Sequence, residues 1–85
     1  MTEDSTFDLD EVRRLAEETE ATATSDDHSV SATVKPGFKV REVNYSQRAF
    51  RLGSEELSEL TLTMIKQANK QSENELSEHV RRMRG

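Results

Sequence analysis

The sequence predicts an α+β domain: a short N-terminal helix, an antiparallel hairpin with a short third strand, and a long C-terminal helix. Residues 29–45 alternate apolar and polar positions around Pro36-Gly37, and residues 54–83 hold an apolar stripe at helical spacing. Of the 85 residues only 32% are apolar and 34% are charged, with no Trp. A chain of this length is near the size at which a single core barely suffices, so one domain spanning 1–85 is expected, stabilised by a second copy. Residues 1–7 and 84–85 are expected to be disordered.

The first helix is predicted to start at Asp8. Asp8 can cap it, Glu11 can reciprocate from the third helical position, and Phe7 with Val12 would form a hydrophobic staple. Leu9, Val12, Leu15 and Ala16 supply its apolar stripe. Residues 21–28, "ATATSDDH", read as a loop, because Thr, Ser and Asp compete for backbone hydrogen bonds.

In the hairpin, Val30, Ala32 and Val34 alternate with Ser29, Ser31 and Thr33, and Pro36-Gly37 is the turn. The second strand begins with Phe38 and Val40, but Val43 and Tyr45 have the opposite parity. A strand of period two cannot hold all four on one face. Either a bulge sits near Arg41-Glu42, or the second pair faces another surface, such as a partner chain. "AFRL" reads as a third, very short strand through Phe50 and Leu52.

Ser54 is a favourable N-cap, and Glu55 and Glu56 follow in the first turn, where carboxylates meet the positive end of the helix dipole. The stripe Leu57, Leu60, Met64, Ala68, Leu76, Val80, Met83 is interrupted at Ser72, and Leu62 and Ile65 widen it in the first half only. Every residue from Asn69 to Glu75 is polar. The first half fits a face packed on a sheet. The second half, with so thin a seam, reads as an arm that fray or a partner helix must account for.

Charge is segregated. The formal net charge is −5, yet residues 1–34 carry ten acids and two bases, whereas residues 35–51 carry Lys35, Lys39, Arg41, Arg48 and Arg51 against Glu42 alone. That sign asymmetry points to anion binding by the basic segment, with phosphate contacts and little base reading. The competing reading is a set of edge-strand cations that block aggregation and pair with the acidic first helix.

Other classes are disfavoured. Without cysteine there are no disulfides, thiolate metal sites or thiol nucleophiles. No 18-residue apolar run exists, and the acidic N-terminus is unlike a signal peptide, so a soluble cytoplasmic protein is expected, with no membrane partner. His28 and His79 lack metal-ligand spacing and read as surface histidines. Glu55, Glu56 and Glu59 are explained by the helix dipole. No phosphate loop or nucleophile constellation is present, so no enzyme, cofactor, metal or small-molecule substrate is expected.

The segment "SVSATVKPGFKVREVNYSQRAFRLGSEELSELTLTMIKQAN", about half the chain, resembles the YbaB/EbfC family of small bacterial nucleoid-associated proteins, closest to short actinobacterial-type members. Val40, Val43 and Tyr45 match the family's spaced apolar strand, and Leu52 to Leu57, "LGSEEL", match the entry into its last helix. The chain departs from the pattern in its short, acidic first helix and in Ser46-Gln47, where Asp-Pro is often found. The resemblance implies a tweezer-shaped homodimer that binds duplex DNA with weak sequence preference. On that basis the expected DNA-binding residues are Lys35, Lys39, Arg41, Arg48 and Arg51, and the expected dimer interface is Val43, Tyr45 and Phe50. The alternative is a protein-interaction module or adaptor dimer, engaging another protein through its helices without physiological DNA binding.

Overall fold

The fold is assembled around one central strand. The computed structural model describes residues 9–84, in the order α1 (Leu9–Glu18), β1 (Ala21–Thr24), β2 (Val30–Lys35), β3 (Lys39–Tyr45), a 3-10 helix (Gln47–Arg51) and α2 (Ser54–Arg84). Asp8, expected as the cap, Phe7, expected in the staple, and the remaining N-terminal residues lie outside the described residues, as does Gly85. The strands form one antiparallel sheet in the order β1-β2-β3. The α+β class is the one expected, but the third strand is in a different place.

Residues 21–24 are strand, not loop. They pair with β2 as Ala21↔Val34, Thr22↔Thr33, Ala23↔Ala32 and Thr24↔Ser31. "ATAT" alternates with period two, burying Ala21 and Ala23 and exposing Thr22 and Thr24. β-Branched Thr suits a pleated surface once a neighbouring strand is available, and tertiary pairing overrides the local loop tendency. The turn that follows is held by side chains: Ser25 Oγ accepts from the backbone N–H of Ser29 at 3.0 Å and of Val30 at 3.1 Å. Conversely, Phe50 adds no strand. It lies in the 3-10 helix, whose N-cap Ser46 accepts from Arg48 N at 3.3 Å.

The parity conflict in β3 is resolved by a bulge. Val34 faces Val40 and Thr33 faces Glu42, so Arg41 is the extra residue. Beyond it, Ala32↔Val43 and Val30↔Tyr45 remain in register. Directly opposed residues share a face, so Val40, Val43 and Tyr45 all lie on the side of Val30, Ala32 and Val34. That side meets α2. The core consists of Ala23, Val30, Ala32, Val34, Met64 and Ala68, with Val43, Leu57, Leu60 and Ile65 packed against it. Val30 and Val34 are fully buried, each worth about 1.5–3 kcal/mol relative to exposure.

Among the described residues no aromatic belongs to this core. Phe38, Tyr45 and Phe50 are 57%, 48% and 80% exposed. The opposite face of the sheet is polar, with Thr22 and Thr33 joined by a 2.7 Å hydrogen bond across the strands.

The polar stretch of α2 is anchored, contrary to the expectation of a free arm beginning there. Asn69 is 4% exposed and Ser72 is fully buried. Asn69 Oδ1 accepts from Phe38 N at 2.7 Å, and its Nδ2 donates to Glu73 Oε2 at 3.1 Å. Glu73 Oε2 also accepts from Gly37 N at 3.1 Å. The hairpin tip, with Gly37 at φ 88° and Phe38 at φ 58°, is thus clamped by polar side chains of α2. A left-handed Phe is strained by about 1–2 kcal/mol, and the two hydrogen bonds to its turn offset that cost.

α2 has 31 residues, about 46 Å at 1.5 Å per residue, in a molecule whose longest dimension is 57 Å. It therefore outruns the sheet. α1, entering β1 at the hairpin-tip end, touches both α2 and β2. Its Val12, Leu15 and Ala16 are half-buried, as are Leu76, His79 and Val80 on α2. The half-burial of both stripes, together with the contact of α1 with α2, fits a seam closed between the two helices.

Candidate nucleic-acid interface

β3 is an edge strand, and basic residues gather at its two ends. At the hairpin end, Lys35 and Lys39 are direct cross-strand partners on the polar face, next to the bulged Arg41. The bulge exists because the apolar residues on both sides of it must reach the same core. One extra residue is left over, and here it is an arginine.

These cations meet carboxylates from the N-terminal part of the chain. Lys39 Nζ lies 3.5 Å from Glu17 Oε2, and Arg41 Nη1 lies 3.3 Å from Glu20 Oε2. All four side chains are substantially exposed, so each pair is a surface ion pair worth about 0.2–1 kcal/mol. Glu17 and Glu20 were not among the residues singled out from sequence individually. Their signal was the abrupt change from an acidic to a basic segment near residue 35.

At the other end of β3 the 3-10 helix presents Arg48 and Arg51. Arg48 Nη1 donates to the backbone carbonyl of Asp27 at 3.2 Å. Arg48, Arg51, Ser46, Gln47, Asp27 and His28 line an open cleft between that helix and the β1–β2 turn. The Asp27 carboxyl is held below its ordinary range by the Ser29 hydroxyl, the Ser29 backbone N–H and the Ser25 hydroxyl. His28, at φ 62°, is a turn residue. The basic segment is therefore two clusters: Lys35, Lys39 and Arg41 at one end of β3, Arg48 and Arg51 at the other. A seven-residue strand, about 20 Å, separates them.

The expected interface residues differ in placement. Tyr45 and Phe50 are exposed, whereas Val43 is half-buried against the core of its own chain. Tyr45 Oη lies 3.2 Å from Thr61 Oγ1, whose one proton goes to Leu57 O at 2.8 Å, so Tyr45 is the donor. Leu62, which lines an open pocket with Tyr45, is 55% exposed, and Val40, at the hairpin end of β3, is 47% exposed.

A family model for the YbaB/EbfC DNA-binding family matches residues 4–85. The chain belongs to this family. Membership makes it a nucleoid-associated DNA-binding protein, and the match extends over the acidic N-terminal segment as well as the hairpin and α2. Comparisons with curated proteins and with solved structures return no match. In this YbaB/EbfC chain no helix among the described residues is long and apolar enough to cross a membrane.

Proposed function

We propose that the chain acts as a non-enzymatic homodimer, located in the cytoplasm at the nucleoid, which holds duplex DNA through phosphate contacts with weak sequence preference. The observation that carries this reading is the concentration of Lys35, Lys39, Arg41, Arg48 and Arg51 around one edge strand of a chain whose net charge is −5. Duplex DNA repels such a chain at long range, so attraction must come from local cation density. Contacts that fall on phosphates carry no sequence information, which gives the weak sequence preference.

The uncovered edge supports a position for the second copy. Among the described residues β3 has an unpaired side, with exposed Val40 and Tyr45 on its core face and exposed Leu62 on the adjoining helix. Open edges of this kind are commonly resolved by two-fold pairing. Antiparallel alignment of β3 with its mate sets the Lys39 end of one copy beside the Arg48 end of the other. Each pair of separated clusters then becomes one continuous basic strip.

Titration of a labelled duplex at several salt concentrations tests the reading. If about four phosphates are neutralised, log affinity falls with log salt at a slope of roughly −3 to −4. Lys39→Glu with Arg41→Glu should abolish binding with the fold retained. A second reading, a protein-interaction module, is favoured by the fact that Lys39 and Arg41 already have carboxylate partners. No binding at low salt, either by the parent or by a variant in which those carboxylates are replaced by amides, would decide for that reading.

A further inference from the structure

Glu17 and Glu20 stand where local physics gives them little support. α1 ends at Glu18 with no basic residue in its last turn, and carboxylates there oppose the negative end of the helix dipole. Lys35 and Lys39 are also unfavourable neighbours, since like charges directly opposite in a sheet repel. The two disfavoured sets meet, with Glu17 3.5 Å from Lys39 and Glu20 3.3 Å from Arg41. The pairs are exposed, hence exchangeable and weakened by salt.

We propose that Glu17 and Glu20 occupy the phosphate positions of the basic strand in the free protein, so that DNA must displace both carboxylates to reach Lys39 and Arg41. The two glutamates then set affinity: the acidic N-terminal segment is an internal competitor for duplex phosphate. This rests on the reading that the basic segment is the DNA contact. It also gives the abrupt charge segregation a role, because a uniformly mixed surface would supply no competitor in register with the cations.

Each exposed pair shifts an equilibrium by a factor of about 1.4 to 5. Losing both should raise DNA affinity about 2- to 25-fold at low salt, with less gain as salt screens the pairs. The test compares full-length parent, Glu17→Gln/Glu20→Gln, and Glu59→Gln/Glu75→Gln. The last pair removes the same charge from exposed α2 side chains that form no ion pair among the described residues. A short fluorescent duplex is titrated at low and at moderate salt, with thermal unfolding to verify that each variant is folded. The expected result is a selective gain for Glu17→Gln/Glu20→Gln over the control, cancelled when Lys39→Gln and Arg41→Gln are added. Binding by that variant where the parent shows none would support the proposal in its strongest form. Equal gains in both double variants would overturn it and leave only bulk charge. Absence of binding in all three proteins at low salt would instead overturn the DNA reading itself, and the competitor role with it.

Discussion

Asn69→Ala should loosen the hairpin tip and lower stability, because one side chain there serves two partners. Its Oδ1 accepts from Phe38 N at 2.7 Å and its Nδ2 donates to Glu73 Oε2 at 3.1 Å. Truncation leaves the Phe38 N–H without that acceptor in a partly buried place, costing about 1–3 kcal/mol. Loss of the amide's bond to the Glu73 carboxylate adds about 0.5–1 kcal/mol at such a partly exposed site. Ala is the better helix former, which returns about 0.6 kcal/mol. The net loss is about 1–3 kcal/mol, a drop in Tm of roughly 5–20 °C for a domain of this size. Denaturant melts at one fixed protein concentration measure it, since association would otherwise shift the midpoint. Amide exchange adds a local readout: Gly37 and Phe38 should lose protection first. Lys70→Ala, exposed and adjacent, should change stability by less than about 0.5 kcal/mol. If Asn69→Ala melts with the parent and the tip amides keep their protection, the clamp is not what holds the turn.

Tyr45→Asp places a charge on the exposed edge of the core face, and should weaken self-association and lower Tm together; a parent that sediments as a stable monomer at micromolar concentration would refute the pairing. Leu15→Asp puts a carboxylate into the half-buried contact between α1 and α2. It should cost about 1–3 kcal/mol and accelerate amide exchange at residues 76–80 selectively, and unchanged exchange there would show that α1 does not cover the second half of α2. Acid should weaken the β1–β2 turn through Asp27. Its carboxyl titrates below its ordinary value in the folded chain, so the unfolded chain binds the proton more readily. Stability from this group is present above the ordinary carboxylate value and is lost as pH falls through the lowered one. Urea midpoints from about pH 5 to pH 3 should therefore fall more steeply for the parent than for Asp27→Asn, and parallel curves would refute the assignment.

Local pattern was enough to determine much of this protein. The alternation of Val30, Ala32 and Val34, the Pro36-Gly37 turn and the stripe from Leu57 to Ala68 are short-range signals, and each marks an element that forms there. The conflict of parity in β3 was also legible, because period two is a geometric constraint that Val40, Val43 and Tyr45 cannot satisfy together without an extra residue. The segregation of charge near residue 35 was visible as well, and the family match extends across it.

Tertiary structure alone decided the rest, wherever the stabilising partner lies far along the chain. "ATAT" became a strand only because β2 offered an edge and α2 a surface to bury Ala21 and Ala23. "AFRL" lost its strand reading because Ser46 caps a 3-10 helix over Gln47–Arg51 and Leu52 N closes it on Ala49 O. The polar run from Asn69 to Glu75 looked unanchored because sequence periodicity records apolar contacts and is blind to an amide aimed at a backbone N–H 31 residues away. The basic segment, continuous in sequence, was divided by a rigid strand into two clusters, one of them matched to Glu17 and Glu20. Strand geometry fixes how far apart neighbours in sequence must lie, and long-range packing chooses which distant carboxylates lie beside them.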